Sequence, residues 1–197
     1  WRLTGKAEYL TDAHHILYNG LLAGQLPNGG FGTGPCVGSP DKQGHLQVGT
    51  ETHHEAPFCC SMRGAEGLAR AIQYGYFLDD STVALPFYAD GTATLRFADG
   101  VCTVRQTTRY PHEGQVSLEV LDSTVSGDKK LRWFLPPWAE AESISLSVRG
   151  KRVMFQRHEA FAELTTRLSK GDILELTFKQ TSGRQSALHA ERLPGVS

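Results

Sequence analysis

Two hydrophobic periods divide the chain. Over residues 7–24 the apolar positions Leu10, Ala13, Leu17, Leu21 and Leu22 fall three and four apart, the stripe of an amphipathic helix. Asp12, His14, His15 and Asn19 lie off that stripe, and Gly24 reads as its stop. A second helix is predicted from about Cys60 to Phe77, its inner face drawn from Met62, Ala65, Leu68, Ala69, Ile72 and Tyr76. Between the two, from Pro27 to Pro57, Gly, Pro, Asn, Ser and His accumulate, which is the composition of a long structured loop. Loops of that length are uncommon unless functional or disordered.

After Asp79-Asp80 the period becomes two. Strands are expected over 83–89, 93–97, 101–109, 115–121, 131–135, 143–148, 160–164 and 173–179. Turn signals such as Asp90-Gly91, Asp99-Gly100, Arg149-Gly150-Lys151 and Lys170-Gly171-Asp172 separate them. Short strands at this spacing predict an antiparallel sandwich. Its core is expected from Val83, Leu85, Leu95, Val104, Leu118, Val120, Leu131, Phe134, Ile144, Leu146, Leu164, Leu174 and Leu176. The fold class is therefore α+β: a helical segment over 1–80, an antiparallel β-sandwich over 81–182, and a linker or tail over 183–197. Two helices cannot close a core, so their apolar face is expected to meet the sandwich, a second copy, or further chain upstream.

Composition narrows the function classes. The chain has 197 residues, with 40% apolar and 21% charged side chains, which excludes a disordered or fibrous protein. Twenty basic against twenty-one acidic side chains leave a net charge of -1. That balance speaks against a nucleic-acid partner, because phosphate affinity needs a basic excess, and fits a neutral carbohydrate better. No apolar run approaches the roughly 20 residues a membrane-spanning helix needs, so no membrane partner is expected. Trp1-Arg2-Leu3-Thr4-Gly5 reads as the tail of a helix with its glycine stop, as if the chain began inside a larger protein. Four cysteines, two of them adjacent, do not form a secreted staple framework, so a reducing, cytoplasmic compartment is expected.

Candidate chemistry concentrates at Glu51-Thr52-His53-His54-Glu55-Ala56-Pro57-Phe58-Cys59-Cys60. Carboxylates, imidazoles and thiols are the donors zinc takes. A thiolate at a helix N-terminus also suits nucleophilic catalysis, because the local dipole lowers its pKa. The structural alternative makes Cys59 and Cys60 small buried residues at a helix start, beside solvated histidines. His14 and His15 read as surface residues, Cys102 as a structural residue in a strand, and Glu113 as a turn residue. Gly29-Gly30-Phe31-Gly32-Thr33-Gly34 lacks a Walker lysine and reads as a tight turn or β-ribbon, with Cys36 following it. Trp133, Trp138 and Tyr110 are either a stacking platform for sugars or part of the sandwich core and rim.

Four ordered pieces resemble glycoside hydrolase family 127, the β-L-arabinofuranosidase family. They are Leu3-Thr4-Gly5 with Leu17-Tyr18-Asn19-Gly20-Leu21; Cys59-Cys60 with Gly67-Leu68-Ala69; Val104-Arg105-Gln106-Thr107-Thr108-Arg109-Tyr110-Pro111; and Leu131-Arg132-Trp133-Phe134-Leu135-Pro136-Pro137-Trp138. The resemblance implies the C-terminal helices of an (α/α)6 barrel followed by a β-sandwich. It implies a retaining glycosidase in which Cys59 is the nucleophile, Cys59 and Cys60 bind zinc, and a terminal arabinofuranoside-like sugar is the substrate. It also implies that the remaining zinc ligands and the acid/base lie upstream of Trp1. The non-catalytic alternative is a carbohydrate- or protein-binding sandwich module. The chain departs from the family where Ser61-Met62-Arg63 follows the cysteine pair in place of the usual proline and asparagine, and where Gly32-Thr33-Gly34-Pro35-Cys36 replaces its usual ribbon. These departures leave room for Glu55, His54 or Cys36 to replace a family ligand.

Overall fold

A computed structural model describes residues 1–25, 29–31 and 60–181. The first helical segment is continuous but changes its winding. It begins as an α-helix, α1 (Glu8–His15), passes into a π-helical stretch (Ile16–Leu21) and closes with a 3-10 turn (Leu22–Gly24). The second helix, α2 (Met62–Gln73), is preceded by a π-type turn at Cys60 and Ser61. It ends short of the predicted Phe77, just before Gly75.

Eleven strands follow among the described residues: β1 (Phe77–Leu78), β2 (Thr82–Leu85), β3 (Gly91–Phe97), β4 (Gly100–Thr108), β5 (Gly114–Ser123), β6 (Lys129–Phe134), β7 (Ser145–Val148), β8 (Lys151–Val153), β9 (Gln156–His158), β10 (Phe161–Thr166) and β11 (Ile173–Phe178). They form two sheets. One has the order β9-β10-β6-β2-β1 and the other β3-β4-β5-β11-β7-β8. Every pairing between these strands is antiparallel except one. β2 runs parallel to β6, with Val83 opposite Leu131 and Leu85 opposite Trp133.

The core lies between the sheets. Val83, Leu85, Leu131 and Trp133 from one sheet meet Val104, Leu118, Leu146 and Leu174 from the other, all fully buried. Alternation along β6 sends Leu131 and Trp133 inward and Phe134 outward. Phe134 and its cross-strand partner Phe161 gather instead with Leu10, Trp1 and Ala7, which seats α1 on the outer face of the five-stranded sheet. Lys129 enters β6 with its side chain 4% exposed, and its charge is met by Asp99 at 2.7 Å.

The antiparallel sandwich expected after residue 80 is present, and its expected core is buried except for Leu164, which is only half-buried. The predicted strand over 83–89 stops at Leu85. Pro86 has no N–H to continue a ladder, and its carbonyl is used elsewhere. The inner face assigned to the second helix is rotated from that expected. Met62 and Ile72 are exposed, whereas Gly64 is buried and Gly67, Leu68 and Ala71 are half-buried. Helix contact here is made through glycines, which hydrophobic patterning does not count.

Core and helix positions should respond differently to truncation. Leu118→Ala, at a fully buried site in the centre of the six-stranded sheet, is expected to destabilise by about 2–5 kcal/mol. Ile72→Ala is expected to stay within about 0.5 kcal/mol, because that side chain is 79% exposed. Urea unfolding of both variants checks this pair, and equal losses would refute the assignment of the two faces.

Candidate functional site

The thiol candidate begins where α2 begins. Cys60 is half-buried in the turn preceding Met62, so its place at a helix start agrees with expectation. Cys59 lies outside the described residues, as do Cys36, Glu51, His53, His54 and Glu55. The turn is tied to Phe31. Gln25 bridges Phe31, and the Ser61 hydroxyl bonds both backbone groups of Phe31. Of the tight turn or β-ribbon expected over 29–34, the described residues show one antiparallel bridge, Gln25 with Phe31.

Among the described residues no three His, Cys, Asp or Glu side chains gather closely enough to hold a metal ion. Cys60 offers one soft donor of the kind zinc takes, with a second thiol beside it in sequence. Cys102 is fully buried in β4, and burial pushes its thiol up from its ordinary range, which leaves it an inert packing residue as expected. Glu113 sits in the turn after β4 and pairs with Arg109 at 2.9 Å on the surface.

A second polar centre joins α1 to the sandwich, contrary to expectation. His14, expected at the surface, is 1% exposed. Its Nε2 lies 2.7 Å from the Pro86 carbonyl, which can only accept, so Nε2 carries the proton. Nδ1 then accepts from the Tyr110 hydroxyl at 3.0 Å. Six aromatic rings surround the imidazole, including Phe87 stacked at 5.1 Å and Phe134 at 4.8 Å. Two parallel links complete the joint: Tyr18 donates to the Tyr88 carbonyl at 2.9 Å, and Tyr88 donates to the Phe134 carbonyl.

Burial sets the protonation of this joint. Desolvation holds the His14 pKa down to about 4, the charge of His15 adding to the effect and the bond to Pro86 opposing it. Burial likewise pushes the Tyr18 hydroxyl up to about 12 and raises Tyr110 and Tyr88. The site therefore holds neutral groups at neutral pH and works as a hydrogen-bonded joint rather than as an acid or base. Of the aromatic residues considered for sugar stacking, Trp133 and Tyr110 are interior. Trp138 and an edge of Tyr110 line an open groove of about 550 Å³ shared with Asn19 and Gln180.

The model of the family "Beta-L-arabinofuranosidase, GH127 middle domain" matches residues 82–180, the sandwich described above. Solved structures are similar across both parts of the chain. A GH127 β-L-arabinofuranosidase from Geobacillus stearothermophilus T6 superposes with a TM-score of 0.73 at 21% identity, covering 94% of this chain and 30% of its own. A glycoside hydrolase structure gives 0.73 at 28% identity over 90% of this chain and 30% of its own. A GH127 β-arabinofuranosidase gives 0.71 at 22% identity over 90% and 29%. The chain thus spans about 30% of the length of the first two of these structures. No curated relative matches it.

The joint should make stability depend on acid. The folded pKa of His14 lies below its unfolded value near 6.5, so the unfolded state binds the extra proton. The contribution is complete above 6.5 and is lost as pH falls from there to about 4. The shift corresponds to a loss on the order of 3 kcal/mol. Urea unfolding at pH 7 and pH 4.5 should show the loss in the native chain and a smaller one in His14→Leu. Identical pH slopes would remove His14 from the account.

Proposed function

The chain belongs to glycoside hydrolase family 127, and from that premise we propose that it is the portion of a retaining glycosidase that carries a cysteine nucleophile, Cys59, acting on a terminal arabinofuranoside-like sugar. The observation that carries this reading is the placement of Cys60 in the turn that opens α2, with Cys59 immediately before it in sequence. A helix start favours thiolate over thiol, and thiolate is the nucleophilic form. A near-neutral chain, with net charge -1, suits an uncharged sugar.

In the proposed reaction the Cys59 sulfur forms a bond to the anomeric carbon as the bond to the leaving-group oxygen breaks. An acid supplied outside the described residues protonates that oxygen. Water then attacks the same carbon, the carbon–sulfur bond breaks, and the sugar leaves with retained configuration after two inversions. Retaining enzymes normally use two carboxylates for these roles; a thiolate can replace the nucleophilic one. Cys59 and Cys60 would hold zinc, together with ligands outside the described residues. Bound there, zinc supplies positive charge that keeps the thiols deprotonated. The helical surface on which Leu3, Ile16, Met62 and Ile72 are exposed would be covered by further helices of the enzyme or by a second copy.

Two measurements on the enzyme containing this chain test the proposal. Cys59→Ala should abolish turnover of an aryl arabinofuranoside, and a sugar electrophile should label Cys59 while sparing Cys36 and Cys102; full turnover by the variant would refute the assignment. Protein purified without added metal should contain zinc by elemental analysis, and Cys60→Ser should lose it. Equal zinc in both proteins would remove Cys60 from the ligand set.

A further inference from the structure

The first helical segment, α2 and the sandwich leave a cavity of about 350 Å³ where they meet. Its walls are mostly apolar: Leu17 and Leu22 come from the first segment, Leu68 and Ala71 from α2, Phe87 and Ala93 from the sandwich. Ile72 and Thr92 line it while remaining exposed, so it opens to the surface on that side. An enclosed apolar cavity of about 150 Å³ already holds benzene. This one has room for a ring of that size and its substituents.

Two polar side chains interrupt the apolar lining, and neither is fully satisfied. Gln106, on β4, is 3% exposed. Its Nε2 donates to the Ala89 carbonyl at 2.8 Å, whereas its buried Oε1 has no partner. The Tyr76 hydroxyl, just past α2, is buried and likewise has no partner. Burial pushes that hydroxyl up to about 12, so it stays a neutral donor. Tyr18, the other tyrosine with a hydroxyl on this wall that could donate, spends its proton on the Tyr88 carbonyl at 2.9 Å. A buried polar atom left unmet among apolar side chains is costly.

The two needs are opposite. Gln106 Oε1 lacks a donor, and the Tyr76 hydroxyl lacks an acceptor. One hydroxyl answers both, because it donates a proton and also offers lone pairs. A hydrocarbon side chain filling the same volume would seal both atoms unmet, and a charged group would be stripped of water among Leu, Ala and Phe. We propose that this cavity is a binding site for a small neutral molecule with an apolar ring and one hydroxyl. The hydroxyl donates to Gln106 and accepts from Tyr76, while the ring packs between α2 and the sandwich.

Phenol and benzene test this, because they differ by the hydroxyl alone. Each is titrated calorimetrically into the protein that contains this chain. A purely apolar cavity prefers benzene, since phenol gives up hydration that nothing replaces. Here phenol should bind about tenfold more tightly, the gain of one ordinary net hydrogen bond. Tyr76→Phe removes the unmet hydroxyl and keeps the ring. It should bring phenol down to the affinity of benzene, leave benzene unchanged, and melt no lower than the native protein. Ala71→Phe, which fills the cavity, should abolish binding of both. Benzene bound as tightly as phenol, binding of neither, phenol affinity unchanged in Tyr76→Phe, or phenol still bound by Ala71→Phe would each overturn the proposal. No described cysteine lines the cavity, so the outcome is separate from that of the hydrolase reading.

Discussion

The bond from His14 to the Pro86 carbonyl joins the two parts of this molecule. Pro86 follows the last residue of β2, so its carbonyl emerges past the end of the strand with no ladder partner, and a buried carbonyl without a donor is costly. His14 supplies the donor from α1. Supplying it commits Nδ1 to accept, which Tyr110 answers from the loop after β4. One imidazole therefore ties a helix to both sheets of the sandwich: to the five-stranded sheet through Pro86 and Phe134, and to the six-stranded sheet through Tyr110. The rings of Tyr18, Phe87 and Trp138 then keep water from competing for these bonds.

The sandwich was legible because its longer strands alternate. A half-buried strand must place its apolar residues at every second position, and nearly all the core residues named from that pattern lie inside. The exceptions have physical reasons. β9 (Gln156–His158) is an exposed edge strand of polar residues, so it carries no alternation to read. The parallel pairing of β2 with β6 depends on a partner far along the chain, and periodicity contains no information about partners. His14 was misread because an imidazole counts as polar, yet Leu10, His14 and Tyr18 follow one another at helical spacing on the side that faces the sandwich. Including the aromatic character of histidine would have placed it on the buried stripe.

The candidate site was legible in its chemistry and not in its support. Cys60 stands at a helix start, as the change from loop composition to helical periodicity implied. That the following serine bonds Phe31 could not be read, because local spacing carries no information about a partner thirty residues away. The glycines of α2 were equally silent. A glycine contributes nothing to a hydrophobic pattern, although here Gly64 and Gly67 are the positions through which the helix meets Phe31 and Leu21. The family resemblance rested on the order of short motifs, and the sandwich portion of that order now corresponds to a described domain.

The single parallel pairing also constrains the order in which the chain can assemble. β2 finds its ladder partner only in β6, and the whole β3–β5 meander is synthesised between them. Until Lys129 and Leu131 have emerged, Val83 and Leu85 have no strand to pair with on that side, and the loop joining them must close at an entropic cost that local contacts do not repay. The meander can fold early as consecutive hairpins. The sheet that receives α1 can form only afterwards, so α1, although it precedes the sandwich in sequence, docks after the meander has formed.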